Sequence, residues 1–208
     1  MEDILEVYKR PYNPSHPLVC MDETTKQLIG ETRSALPCVP GQTEKYDYEY
    51  ERNGVNNLFM IFAPLEGQRY VKVTDHRTAI DWAECIRDIT DVYFPHAEKI
   101  TLVMDNLNTH KPSSLYKAFS PKDARRILDK LEIHYTPKHG SWLDMAEIEF
   151  SVLQRQYLNC RIPDQETLKQ KVADWQQNRN KKSVKVNWRF TTEDARIKLR
   201  KLYPSIAV

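Results

Sequence analysis

Glycine is scarce in this chain, with 5 in 208 residues against 12 prolines, which excludes collagen-like and low-complexity sequence. Cysteine is scarcer still: Cys20, Cys38, Cys85 and Cys160 lie far apart, with no Cys-x-x-Cys pair and no histidine at zinc-finger spacing. Neither a disulfide framework nor a structural zinc site is expected. No apolar run approaches the roughly 20 residues of a membrane span. The opening MEDILEVYKR carries acids where a secretory signal needs a basic and then an apolar region. These absences make a cytoplasmic location, with no membrane partner, the expectation. An excess of either charge is also missing, since 31 basic and 29 acidic residues leave a formal +2. A nucleic-acid partner must therefore be met by local patches.

What is present is a globular composition, 40% hydrophobic and 10% aromatic, over a length that supports one substantial core with an appendage. Residues 1–17, with their PYNPSHP stretch, read as an extended lead-in. The apolar run Leu18-Val19-Cys20-Met21 predicts a buried strand that stops on Asp22. Asn57 to Pro64 and Arg69 to Asp75 are two further strand-like runs, joined by Leu65-Glu66-Gly67-Gln68, which holds the glycine a hairpin wants. From Thr78 the period becomes helical, with Ile80, Ala83, Ile86, Ile89 and Val92 or Tyr93 on one stripe. Thr78 and Asp81 have capping-box spacing, and this helix ends before Pro95. Lys99 to Met104 predicts a strand ending on Asp105, Ser120-Pro121 opens a helix through Leu128, and Glu132 to Tyr135 forms a fifth strand. A long helix is expected from about Trp142 to Leu158, with others starting at Asp164 and Thr191. Three antiparallel strands followed by alternating helices and strands predict an α/β, ribonuclease-H-like mixed five-stranded sheet flanked by helices. The expected organisation is a lead-in at 1–17, a domain at 18–160 and a C-terminal helical extension at 161–208 packed on it.

Asp22 and Asp105 are each delivered by an apolar run to a point where the chain leaves the sheet, the place where open sheets collect ligands. Acids after strands also serve as turn and capping groups, so neither carries weight singly. If the two strands are neighbours, the carboxylates repel unless a cation lies between them, and hard oxygen donors favour magnesium or manganese. The segment after Gly140 offers Asp144, Glu147 and Glu149 as a third carboxylate. At about 100° per residue, Asp144, Glu147, Ser151 and Gln154 share a polar helix face, while Glu149 lies about 200° from Glu147. Glu147 is therefore the candidate and Asp144 a supporting acid, and Glu149→Gln is expected to be mild. Three carboxylates of this kind hold two metal ions about 3.5–4 Å apart for phosphoryl transfer, one activating the attacking hydroxyl and one the leaving oxygen.

Asp22-Glu23, the run Met104 to His110 and the run Tyr135 to Glu147 (YTPKHGSWLDMAE) resemble bacterial insertion-sequence transposases of the mariner superfamily, in the group named after insertion sequence 630. The likeness continues through Arg161-Ile162-Pro163-Asp164 and the run Val186 to Arg196, so it covers nearly the whole chain. It implies a DDE catalytic domain that cuts DNA at transposon ends and joins the freed 3′ hydroxyl to a target, using divalent metal held by Asp22, Asp105 and Glu147. It also implies a homodimer on DNA. Such proteins carry a helix-turn-helix region ahead of this domain, so a separate N-terminal helix-turn-helix partner is an expectation, and nucleoid association with it. Asp144 stands where the family leads one to expect asparagine. The Asp105 to Glu147 interval, 147 − 105 = 42 positions, is longer than in many mariner-like enzymes. The rival readings are a nuclease that cuts without joining and a catalytically silent, DNA-binding remnant.

Around the trio, Glu23 is a candidate supporting acid. Asn106 and Asn108 either orient metal-bound water or cap the next turn. His110, Lys138 and His139 are candidates for phosphate contact or plain exposed loop residues. Arg179, Lys181, Lys182, Lys185 and Arg189 lie in a segment free of acids, with Trp188 among them, which suits either DNA contact or an exposed basic linker. Trp142 reads either as core beneath the active-site helix or as a residue near DNA.

Overall fold

The computed structural model describes residues 1–33, 40–41, 48–138 and 140–203. Alternating apolar residues build its five strands, β1 (Leu18–Glu31), β2 (Tyr50–Ala63), β3 (Gln68–Thr74), β4 (Ile100–Met104) and β5 (Leu131–Tyr135). Their order is β3-β2-β1-β4-β5, with β1, β2 and β3 antiparallel and β4 and β5 parallel to β1. Successive side chains of a strand point to opposite faces. Cys20, Leu58, Met60, Phe62 and Val103 accordingly enter one core, while Val19, Met21, Phe59, Ile61, Leu102 and Met104 enter the other. Helices α2 (Ala79–Asp88), α3 (Pro112–Ala118) and α4 (Pro121–Asp129) cover the second face. Helices α1 (Glu2–Tyr8), α5 (Met145–Leu153), α6 (Gln165–Lys181) and α7 (Thr192–Lys198) cover the first.

The local stop and start signals match the structure. Thr78 with Asp81 and Thr191 with Asp194 form capping boxes, Ser120 caps α4 with Pro121 at its first position, and Asp164 caps α6. Five expectations are corrected. Residues 2–8 of the lead-in are helical, because Ile4, Leu5, Val7 and Tyr8 are buried. At about 1.5–3 kcal/mol per buried side chain, that burial outweighs the nucleation cost of so short a helix. Strand β1 does not stop on Asp22 but runs on to Glu31, paired with β2 through the β-branched Thr24, Thr25 and Ile29. The α2 stripe is borne out at Ala83, Ile86, Ile89 and Tyr93 but corrected at its edges, since Trp82 and Cys85 are buried beside it while Ile80 and Val92 are exposed. Helix α3 was not expected at all, although Pro112 occupies its first turn. The long helix over 142–158 is three pieces: a 3-10 turn Ser141–Leu143, α5, and a π-helical turn Gln154–Leu158. Asp144 breaks it, since its Oδ1 accepts the Ala146 N–H at 2.9 Å as the N-cap of α5.

No described helix is long and apolar enough to cross a membrane. Beyond residue 160, Ile162, Leu168, Val172 and Trp175 join the α5-side core, and the Ile29 N–H donates to the Ile162 carbonyl.

Candidate active site

Parallel pairing of β1 with β4 ends at Met21 and Met104, so Asp22 and Asp105 are the next residues on two adjacent strands. Alternation places both on the face of Cys20 and Val103, beneath α5. Asp22 thus lies at the end of the parallel pairing although its own strand continues. Its Oδ1 accepts the Glu23 N–H at 2.7 Å. Burial pushes its pKa up, the Glu23 hydrogen bond opposes this, and the Asp105 and Glu147 charges add to it, for a value of about 6. Glu147 sits half-buried in the first turn of α5.

Asp144 is 2% exposed, and burial first, then the charge of Asp22, holds its carboxyl well above the usual range. Its Oδ2 is buried without a hydrogen-bond partner among the described residues. Four acids therefore repel one another on one face, which favours a divalent cation. Among the described residues no group of three or more His, Cys, Asp or Glu side chains stands arranged to hold a metal ion in this structure. The donors near Asp22 are all carboxylate oxygens, which suits magnesium or manganese.

His110 is not a phosphate contact. It is 1% exposed, with Nδ1 2.5 Å from Asp105 Oδ1 and Nε2 3.0 Å from Glu23 Oε2, and it stacks on Trp82. Two carboxylates flank it, so both ring nitrogens donate and the ring is cationic. Burial opposes that charge but is outweighed by the hydrogen bonds to Asp105 and Glu23, and the pKa rises to about 9. Glu23, whose side chain is 5% exposed, meets His110 on the side away from Asp105, and Arg77 stands 3.6 Å from its other oxygen. Asn106 and Asn108 are exposed and, with Asp105, Thr136, Lys138 and Ser141, line an open cavity of 680 Å³. They do not cap α3, whose N-cap is Lys111. His139 lies outside the described residues.

The basic C-terminal candidates stand elsewhere. Arg179 is ion-paired with buried Glu149 at 2.9 Å, which removes it from the set of free phosphate contacts. Lys181, Lys182 and Lys185 are exposed beside the β2–β3 turn, where the Val186 N–H donates to the Pro64 carbonyl. That is the sheet end opposite to the one at which β4 delivers Asp105. Arg189 is exposed, but Trp188 packs on Tyr8 at 5.0 Å and stacks with Trp142, itself 39% exposed. Glu149, the other glutamate of α5, is 1% exposed and bonded to Arg69, so it faces the core and not the aspartates. Sequence reasoning missed two residues. Tyr8 donates to the Leu143 carbonyl beside Asp144, and its only signal was the Ile4, Leu5, Tyr8 spacing. Arg69 had no signal, being one basic residue in a strand.

The model of the DDE superfamily endonucleases matches residues 17–169, most of the chain. The chain belongs to the DDE superfamily endonucleases. Three solved structures share the fold of this DDE domain at 16% sequence identity, each covering 88% of this chain. They are the Mos1 mariner paired-end complex with Mn (TM-score 0.59, 55% of that chain), the Mos1 transposase paired-end complex with left transposon end (0.57, 60%) and the Mos1 strand transfer complex (0.56, 58%). The chain thus spans less than two thirds of their length, and the likeness establishes the ribonuclease-H-like architecture. No curated protein matches this chain.

Proposed function

We propose that this DDE domain is the catalytic domain of a bacterial transposase of the insertion sequence 630 group in the mariner superfamily. It cleaves DNA at transposon ends and transfers the strand to a target, acting on chromosomal DNA in the cytoplasm as two copies on paired ends. The catalytic unit is residues 18–160, with helices α6 and α7 of the following segment packed on it. The carrying observation is the meeting of Asp22 and Asp105 on adjacent strands beneath the helix that bears Glu147, while Glu149 of that helix is tied away. Asp22, Asp105 and Glu147 would hold two magnesium or manganese ions, and when bound these activate the attacking hydroxyl and stabilise the leaving oxygen. His110 holds Asp105 Oδ1, and the Glu23 amide holds Asp22 Oδ1. Asp144 acts as the buried cap that starts α5 at the right residue. Lys138 and the two asparagines at the open cavity would receive the DNA backbone beside Asp105.

The test combines manganese titration with cleavage and joining of a DNA end. Asp22→Asn, Asp105→Asn and Glu147→Gln should each keep the fold and abolish metal-dependent cleavage. Cleavage without joining of a pre-cut end would mark a nuclease, and absence of manganese binding in the parent chain a silent remnant.

A further inference from the structure

Glu149 lies two positions from Glu147 on the nine-residue α5, about 200° around the helix, so the two carboxylates leave it in nearly opposite directions. Arg69 grips Glu149 with a fork, Nε to Oε2 at 2.6 Å and Nη2 to Oε1 at 2.9 Å. Arg179 donates Nη2 to both oxygens at 2.9 and 3.2 Å. Arg69 itself is fixed, with Nη1 on the Gly67 carbonyl, Nη2 on the Val184 carbonyl, its guanidinium 4.5 Å over Phe62, and Asn180 bonded to both its backbone groups. One carboxylate thereby joins α5 to β3 and to α6.

Stability alone does not account for this cluster. Arg69 and Glu149 are 0% and 1% exposed, and apolar residues of similar volume hold a core about as well as a buried ion pair. Two guanidiniums also share one carboxylate, and Arg179 Nε is buried with no partner among the described residues, so Arg179 is placed for Glu149 at the expense of its own donors. What directional bonds supply and apolar contacts do not is a fixed rotation of a short helix. A slip by one residue turns α5 through about 100° and carries Glu147 away from the aspartates.

We propose that the Arg69–Glu149–Arg179 cluster sets the rotation of α5 and so presents the Glu147 carboxylate to Asp22 and Asp105, making these three residues positioning residues of the active site. This rests on the reading of Glu147 as a metal ligand.

The test is a double-mutant cycle on the full chain, reading manganese affinity by calorimetry, with folding checked by circular dichroism and thermal melting. Glu149→Gln strands the buried Arg69 guanidinium and the partly buried Arg179 guanidinium, so the working variant is the apolar set Arg69→Met, Glu149→Leu and Arg179→Met. Arg179→Met alone, which keeps the Arg69 fork, serves as a second, milder variant and carries the test if the set does not fold. The apolar set should weaken manganese binding about 10-fold, with the single change shifting it less in the same direction. Neither should weaken it further once Glu147→Gln is present. Wild-type affinity in the folded variants, or a loss that adds in full to that of Glu147→Gln, overturns the proposal. If Glu147→Gln alone leaves affinity unchanged, the ligand reading itself falls and takes the proposal with it.

Discussion

Replacing Asp22 with asparagine should make the metal-free protein more stable. The Asp22 carboxyl is raised from 3.8 to about 6, chiefly by burial, with Asp105 and Glu147 adding to it. A group whose folded pKa exceeds its unfolded one contributes stability that is complete below the unfolded value and lost as pH rises through the folded value. At pH 7.5 that contribution is gone, a difference of about 3 kcal/mol at the upper limit. Asp22 is only partly buried, and solvent screening lowers the figure to about 1–2 kcal/mol. Asparagine keeps an Oδ1 for the Glu23 amide and carries no charge at any pH. Asp22→Asn should therefore melt roughly 2–8 °C above the parent at pH 7.5 without metal, for a chain of this size. The gap should close toward pH 4, where both side chains are neutral. Manganese should then raise the melting temperature of the parent and leave that of the variant unmoved. The measurement is a thermal melt followed by circular dichroism across pH 4–8, with and without the ion. A variant less stable than the parent at pH 7.5, or a gap independent of pH, would refute the argument that Asp22 is held against repulsion.

Glu149→Gln should cost about 3–5 kcal/mol, because buried Arg69 loses its carboxylate and partly buried Arg179 loses the same partner; urea unfolding measures it. Asp144→Asn should change metal-free stability by under about 1 kcal/mol at pH 7, since burial and the Asp22 charge disfavour the Asp144 carboxylate and asparagine serves equally as an N-cap. A large loss in the same unfolding assay would refute the view that asparagine serves equally at this buried N-cap. His110 has its folded pKa raised from 6.5 to about 9, so its contribution is complete below 6.5 and lost as pH rises through 9. His110→Gln should flatten that limb of the pH–stability curve, and calorimetry should show manganese affinity down about 10-fold as Asp105 loses its holder.

The parts of the site that were legible in the sequence are those governed by neighbours along the chain. Asp105 follows an unbroken apolar strand, the caps at Thr78, Asp164 and Thr191 obey local hydrogen-bond rules, and helical angle alone separates Glu147 from Glu149. The parts that stayed hidden depend on residues brought together by the fold. Glu23 reaches His110 across 87 positions and Arg69 reaches Glu149 across 80, so neither the burial of the histidine nor the tie on Arg179 had a local signature. Asp144 read as helical because its neighbours are, and only its own side chain on the Ala146 amide makes it a boundary. The continuation of β1 past Asp22 was masked by polar residues on both faces of a solvated ribbon.

Asp22 and Asp105 occupy adjacent strands whose separation is set by backbone hydrogen bonds, whereas Glu147 arrives on a nine-residue helix held by side chains. Opening free energies differ across a domain, and a nine-residue helix joined to the sheet through side chains alone opens more readily than strands paired through their backbones. Amide exchange should therefore run faster along Met145–Leu153 than along Leu18–Met21 and Ile100–Met104. Gentle warming would then disassemble the chemistry while the scaffold still stands, and a sample judged native by its circular dichroism would already be inactive.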